Sequence, residues 1–491
     1  MIKSKITYTI CTALLLAMVM FSACKKGWDT HNAITEEALN KTLAQQIAES
    51  ADLSAFNGYL VKTGYDKVLA SSRSFTVWAP TNAAMQNIDP SIVTDTAKLK
   101  LFVQNHISYQ AYFVRMPQPS LKIKTLSGKN ITFTATTFDD ANIVKADVYV
   151  NNGVLHTIDL ASAPKPNAYE FLMSSASAAK QKTFIQGLVH TEIDTSKGVR
   201  LYVDPVTKKT VFQAGTTFPV QKNSYFQKVA DISSEDSLVT YIILNDQAYD
   251  NEKSKISKYY NVSTSATTTD SLTQFAVVKD LVINHVYNVN SLPDSMMSVT
   301  GVQIHLDKTA IVETRQLSNG VAYVVNSISY KIFQNKIPNI IIQGEVLDSL
   351  RVPSSISIKT KKTPAGVKYT DVQNASITSS PDPLYYYRYK TVVNSAKYNV
   401  YWRAVNDIYT TPFNMKVDFS PTSHYPKAAE TPLATLGYNS SGILNYSEVF
   451  LGTYTPANYG TLYTFLVSAT GVVSTAPTAL SLDYIKLVPI N

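Results

Sequence analysis

Two cysteines, at positions 11 and 24, are all the thiols in 491 residues. So small a supply excludes a disulfide-stapled scaffold and a thiolate metal site. Charge is thin as well: 16% of the residues are Asp, Glu, Lys or Arg, where an average soluble domain has about 25%. The formal charge of +8 is carried by scattered residues with no dense Lys/Arg block, so nucleic acid is not an expected partner. The seven histidines (31, 106, 156, 190, 285, 305 and 424) show no metal-ligand spacing. No G-x-S-x-G elbow, Walker loop, dinucleotide fingerprint or H-E-x-x-H occurs. The acidic pair Asp139-Asp140 lies in turn-like sequence and reads as a solvated loop. The expectation is a chain without catalytic residues, cofactor or metal. A glycoside-processing enzyme is the least favoured alternative, kept because two glycosidase carboxylates need share no motif. After the first 24 residues no apolar run approaches the ~18 residues of a membrane helix.

What the chain has in quantity is tyrosine, 31 residues of it, in a composition that is 45% hydrophobic. That profile suits β-rich extracytoplasmic domains rather than disorder, and the length allows two to four of them. The N-terminus reads as an address: Lys3 and Lys5, an apolar stretch from Ile10 to Met20, then Phe21-Ser22-Ala23-Cys24. This resembles a bacterial lipoprotein signal, with Phe21 where Leu is usual. The resemblance implies that residues 1–23 are removed and that the Cys24 thiol takes the lipid. Cys11 leaves with the leader, so Cys24 has no disulfide partner, and loss of Lys3 and Lys5 lowers the formal charge by two to +6. Cys24-Lys-Lys-Gly-Trp-Asp29 resembles the start of many Bacteroidetes lipoproteins, and acyl chains would be the membrane anchor.

Residues 75–85 read FTVWAPTNAAM. The run Phe75–Trp78 is strand-like; Pro80 ends it, and Thr81 or Asn82 can cap a following helix. Two further landmarks follow. Leu99 to Ile107 is an apolar helix pattern ending at Asn105-His106, and Val148 to Asp159 reads as strand, turn, strand, with Asn152-Gly153 as a two-residue hairpin turn. This succession resembles the fasciclin (FAS1) domain over about residues 35–165, with Trp78 and Met85 in two Phe places of its first motif. The resemblance implies an α/β fold without enzymatic activity, in which Thr76, Pro80, Thr81, Asn82, His106, Asn152 and Gly153 are structural.

The landmarks recur. Thr240 to Tyr249 lines up with Thr76 to Met85 at a shift of 164, and Leu317 to Asn326 with Val150 to Asp159 at 167. Asn284-His285 is paired with Asn105-His106. Near-equal shifts in the same order indicate a duplicated, divergent domain over 166–335. In it Leu244-Asn245 replaces Pro80-Thr81, Tyr323 replaces His156, and His285, Asn319 and Gly320 are the matching structural residues. An inserted hairpin, VRLYVDPVTKKTVFQ, precedes the copy of the first motif.

From Lys336 to Asn491 helical periodicity gives way to short alternating strands. The pattern is a β-sandwich; the strands at Tyr398 and Leu482–Pro489 resemble jelly-roll, galactose-binding-like modules beside carbohydrate-active proteins. The fold class expected for the whole is thus α+β and all-β multidomain: a linker at 24–34, two FAS1-like α/β-sandwich domains, and a jelly-roll-like β-sandwich at 336–491. Its aromatics are candidates for stacking on a sugar ring: Tyr385, Tyr387, Trp402 and Tyr438. Strict alternation through 385–389 buries one face, leaving either Tyr386 or the set Tyr385, Tyr387 and Tyr389 outside. Asp-Ser/Thr-apolar triplets at Thr96, Ser237, Ser271, Ser295 and Ser349 resemble O-glycosylation sites of exported Bacteroidetes proteins. The functional expectation is a lipid-anchored, surface-exposed outer-membrane protein that binds a polysaccharide or cell-surface glycan beside a glycan-uptake system. The alternative is a structural or docking partner of an outer-membrane transporter.

Overall fold

The computed structural model describes residues 37–352, 354–375, 377, 385–425, 434–469 and 478–491. The leader, the linker up to residue 34 and Cys24 lie outside them. Two compact units are present. One runs to Asn167 and includes Ser234–Asp236 and Leu317–Asn319; the other comprises Ala168–Ser233, Ser237–Gln316 and Gly320–Asn491.

The first unit holds strands β1 (Phe75–Pro80), β2 (Ile107–Tyr109), β3 (Ser120–Lys124), β4 (Asn130–Thr134), β5 (Thr137–Phe138), β6 (Ala141–Val150) and β7 (Gly153–Ile158). They form one sheet in the order β2-β1-β7-β6-β5-β4-β3. All six residues of β1 are buried, as befits a central strand whose parallel neighbour is β7. One core cluster packs Leu43, Phe56, Leu60, Phe102 and Val103 of the helices against Phe75, Val77 and Ala79. A second surrounds Trp78 with Ile131, Phe133, Phe138 and Ile158. Local chemistry starts the helices: Thr42 and Gln45 make a capping box, and the Asp95 carboxylate accepts from Ala97 N and Lys98 N.

In the second unit a hairpin pair comes first: β8 (Val189–Asp194) with β11 (Phe218–Asn223), and β9 (Arg200–Val203) with β10 (Thr210–Phe212). This is the inserted hairpin, extended at its base. Strands β12 (Val239–Leu244), β13 (Val282–Ile283), β14 (Met296–Met297), β15 (Gln303–Ile304), β16 (Ile311–Leu317) and β17 (Gly320–Val325) follow. Four of them make a sheet in the order β13-β12-β17-β16. That order repeats β2-β1-β7-β6, with a parallel central pair in both: Phe75 faces Gly153, and Val239 faces Gly320.

The remaining strands are β18 (Ile340–Gln343), β19 (Ser349–Arg351), β20 (Ser357–Lys362), β21 (Lys368–Asn374), β22 (Tyr386–Val393), β23 (Lys397–Arg403), β24 (Phe413–Ser420), β25 (Ala434–Ser441), β26 (Val449–Tyr454), β27 (Gly460–Ser468), β28 (Leu480–Leu482) and β29 (Tyr484–Ile490). They build a four-stranded sheet β18-β29-β23-β26, a five-stranded sheet β19-β22-β27-β24-β25 and a three-stranded sheet β20-β21-β28. This is an all-β, sandwich-like arrangement, its interior filled by Tyr398, Val400, Trp402, Val417, Leu466, Ile485 and Leu487, all fully buried.

Candidate functional site

The Pro-Thr corner works as its residues dictate. Thr81 accepts from Ala84 N at 3.1 Å and caps the helix Asn82–Met85. Asn82 is no cap: its amide ties down the preceding helical segment, accepting from Ala55 N at 2.9 Å and donating to Ala51 O at 2.9 Å. Thr76 Oγ1 donates to Gln110 O and accepts from Tyr112 N, each at 2.8 Å. Asn152 is buried, takes Leu43 N on its oxygen at 2.8 Å and donates to Leu69 O and Ser71 O at 2.7 Å. The hairpin turn itself is Asn151-Asn152, because Val150 pairs with Gly153; the expected turn at Asn152-Gly153 is off by one. Gly153 is required for a different reason. A Cβ there would sit 1.9 Å from Phe75 O.

His106 is fully buried, its Nδ1 donating to Phe102 O at 2.8 Å and its Nε2 accepting from Ser162 N at 3.3 Å. Burial pushes its pKa down to about 4. His156 is equally enclosed and stacked on Trp78; its Nε2 donates to Tyr112 O at 2.9 Å, and burial lowers its pKa also. The acidic pair does lie in a turn, with Asp140 exposed, but Asp139 turns inward. Asp139 is largely buried, accepts from Thr132 N at 2.8 Å and lies 3.6 Å from Lys165.

The second sheet reuses these contacts. Thr240 Oγ1 donates to His285 O at 2.7 Å and accepts from Tyr287 N at 2.9 Å. Asn245 caps its helix through Ala248 N at 2.8 Å, and Asn319 donates to Ser234 O at 3.0 Å. A Cβ on Gly320 would meet Val239 O at 1.9 Å. Tyr323 reaches Tyr287 O through its hydroxyl at 2.6 Å, the bond that His156 makes to Tyr112. The pairing of His285 with His106 is wrong by four residues. Trp78 N bonds to His106 O, and Ile242 N to Leu281 O; Leu281 therefore holds the buried-histidine place and Asp280 the place of Asn105. His285 is exposed and supplies only its carbonyl to Thr240. The turn that opens the Thr125–Phe133 turn-plus-strand also recurs, which the sequence pattern does not reveal. Thr125–Gly128 and Ser298–Gly301 form the same turn, each closed by a bond from the glycine N–H to the first carbonyl.

In the sandwich the proposed aromatic set divides. Trp402 and Tyr387 are fully buried and offer no ring face, which corrects both as ligand contacts. Pairing of Tyr387 with Leu466 puts both on the inner side of the five-stranded sheet, so the alternation leaves Tyr386, Arg388 and Lys390 outside. Tyr385 is half-buried just before β22, and Tyr438 is 39% exposed on β25.

The outer side of this sheet forms a tyrosine-bearing surface. Tyr386 and Tyr425 lie nearly parallel with centroids 5.6 Å apart. Both stand edge-on to Phe465, at 5.1 and 5.2 Å, so that this outward-pointing ring is wholly covered. Asp418, beside Phe465 in the ladder, accepts from Tyr425 Oη at 2.5 Å and Thr435 Oγ1 at 2.8 Å and pairs with Lys416 at 2.8 Å. The Lys416 ammonium stands 5.6 Å from the centre of the Tyr438 ring. Arg388 is fixed by Asp348 at 2.7 Å and lies 5.6 Å from the centre of Tyr463. Burial and the Asp418 carboxylate raise the Tyr425 and Tyr438 hydroxyls above the ordinary phenol value, keeping both as neutral donors. Rings, hydroxyls and cations thus share one surface, laid over the buried Asp418 carboxylate. Among the described residues no cluster of three or more metal-ligating side chains occurs.

Of the Ser/Thr triplets, Thr96 and Ser271 are exposed, on helices; Ser237, Ser295 and Ser349 are half-buried, and Ser295 accepts from Gln303 at 2.7 Å.

Solved structures similar to the chain include the FAS1 domain pair of the insect cell adhesion molecule fasciclin I, 13% identical with a TM-score of 0.23, over 59% of this chain and 100% of that one. The CBM36-1 domain of a multidomain xylanase from the hindgut metagenome of Trinervitermes trinervoides is 12% identical with a TM-score of 0.21, over 31% of this chain and 99% of the domain. A CBM35 from Cellvibrio japonicus is 11% identical with a TM-score of 0.20, over 31% and 95%. Residues 51–161 match the fasciclin domain family, and the chain carries a fasciclin domain there.

Proposed function

We propose that this chain is a non-catalytic, lipid-anchored outer-membrane protein of Bacteroidetes type that holds a glycan on the tyrosine-bearing side of its C-terminal sandwich. Cys24 takes the lipid, residues 166–335 are a degenerate second fasciclin repeat, and the protein serves a polysaccharide-uptake system at the cell surface. The observation that carries the glycan reading is the stacked Tyr386–Tyr425 pair with Tyr438, Tyr463 and the Asp418–Lys416 pair on one sheet face. Aromatic faces suit the apolar face of a pyranose, and the flanking polar groups suit its hydroxyls. The repeated register of the two α/β sheets supports the duplication.

The test is a glycan array with the full chain, followed by calorimetry. Tyr438→Ala should lower affinity by about 1–3 kcal/mol with stability changed by less than about 0.5 kcal/mol. Trp402→Ala, a core change, should instead cost about 3–5 kcal/mol of stability. No glycan bound by the folded chain would overturn this reading in favour of docking to a transporter protein.

A further inference from the structure

The hairpin inserted ahead of the second α/β sheet carries a concentration of exposed apolar side chains. In its outer half Val199 is 49% exposed, Leu201 58%, Tyr202 59%, Val203 58% and Val206 86%. The same stretch carries Lys197, Arg200, Lys208 and Lys209, all exposed; Lys197 feels the Asp194 carboxylate at the base of the hairpin, and Arg200, Lys208 and Lys209 make no ion pair among the described residues. Its one acid, Asp204, is spent on the tip: the carboxylate accepts from Val206 N at 2.8 Å and Thr207 N at 2.6 Å. Backbone bonds between Asp204 and both Lys208 and Lys209 close the turn. Val206 is therefore held outward by a built turn.

The apolar residues occupy both sides of the ribbon. Tyr202 pairs with Val211 and Val203 with Thr210, so Tyr202 points to one side and Leu201 and Val203 to the other. A two-stranded ribbon has no core of its own in which to bury them. A protein groove shaped for one side would leave the other wet. A bilayer interface surrounds both, and lysine and arginine stems reach from it to the phosphates.

We propose that residues 197–212 form a membrane-touching arm that seats Leu201, Tyr202, Val203 and Val206 among anionic lipid headgroups, with Lys197, Arg200, Lys208 and Lys209 on the phosphates. This contact is separate from any acyl anchor and from the sandwich face.

The experiment uses the chain starting at Lys25, which keeps every described residue and has no leader or lipid. It is floated with phosphatidylcholine vesicles, with and without phosphatidylglycerol. The arm predicts binding to the anionic vesicles that weakens as salt rises. Lys208→Gln with Lys209→Gln lowers that affinity about thirtyfold, as two interfacial cations would. Val206→Trp serves as a reporter whose emission shifts to the blue on anionic vesicles. Absence of binding, or equal binding by the double variant with an unchanged melt, overturns the proposal. So does a lipid-free dimer in sedimentation velocity that Val206→Ser dissolves, which would assign the arm to a second copy of the chain.

Discussion

His106 is held neutral by its surroundings: its one ring proton goes to Phe102 O and its bare nitrogen receives Ser162 N. The folded chain resists protonation until about pH 4, whereas an ordinary histidine takes the proton near 6.5. Between those values the unfolded chain binds more protons, so stability is complete above the ordinary value and is lost as pH falls. The loss from His106 is on the order of 3 kcal/mol, and His156 adds to it in the same direction. Melts from pH 7 to 4 should show this decline, and His106→Leu, the residue type that the second sheet uses at Leu281, should flatten it. Tyr387 makes a second prediction at this scale. Its hydroxyl is buried with no hydrogen-bond partner among the described residues, a burden of about 1–3 kcal/mol. Tyr387→Phe should therefore raise the melting temperature, and a fall would show that the hydroxyl has a partner after all. The packing role of His106 could be read ahead of the structure because an apolar helix leads into it. The burial of Trp402 and Tyr387 could not. Strict alternation divides a strand into two sides without saying which is inward, and only pairing with Leu466 and Ile485 settles that.

At the scale of elements the recurring unit is a parallel strand pair clamped at a glycine. Gly153 and Gly320 lie against the carbonyls of Phe75 and Val239 with no room for a side chain, at positive φ of 155° and 139°. Gly153→Ala and Gly320→Ala should each cost about 2 kcal/mol or more, since the backbone must part to admit the methyl group. Gly128→Ala is the control: it has positive φ but open space around it, and should cost about 1 kcal/mol. Comparable losses for all three would mean that conformation, and not the close approach, dictates glycine. The strands of this unit were legible because Thr76, Thr240 and the glycines recur at near-constant spacing. The helix-to-strand passage was not, because Asn284-His285 copies the Asn105-His106 dipeptide four residues away from the true equivalents. Two letters alike outweighed the register. Asp280 in the Asn105 place also brings a requirement that the first sheet lacks, a counterion, supplied by buried Lys336 at 2.6 Å.

For the whole molecule, the mature chain would have one cysteine and no helix among the described residues long and apolar enough to cross a membrane. If the N-terminal residues act as the lipoprotein signal they resemble, acyl chains on Cys24 supply stable attachment, because interfacial contacts alone are reversible and salt-sensitive. Cys24→Ala removes the sole thiol that can take the lipid. In cells fed labelled palmitate this variant should lose the label and move out of the membrane fraction after a high-salt wash. A salt wash alone should strip whatever the Cys24→Ala chain retains through its basic hairpin and leave the chain that keeps Cys24 in place. Retention of both label and membrane attachment by Cys24→Ala would remove the lipid anchor from the proposal. Retention of attachment without label, released by salt, would leave the hairpin as the remaining contact.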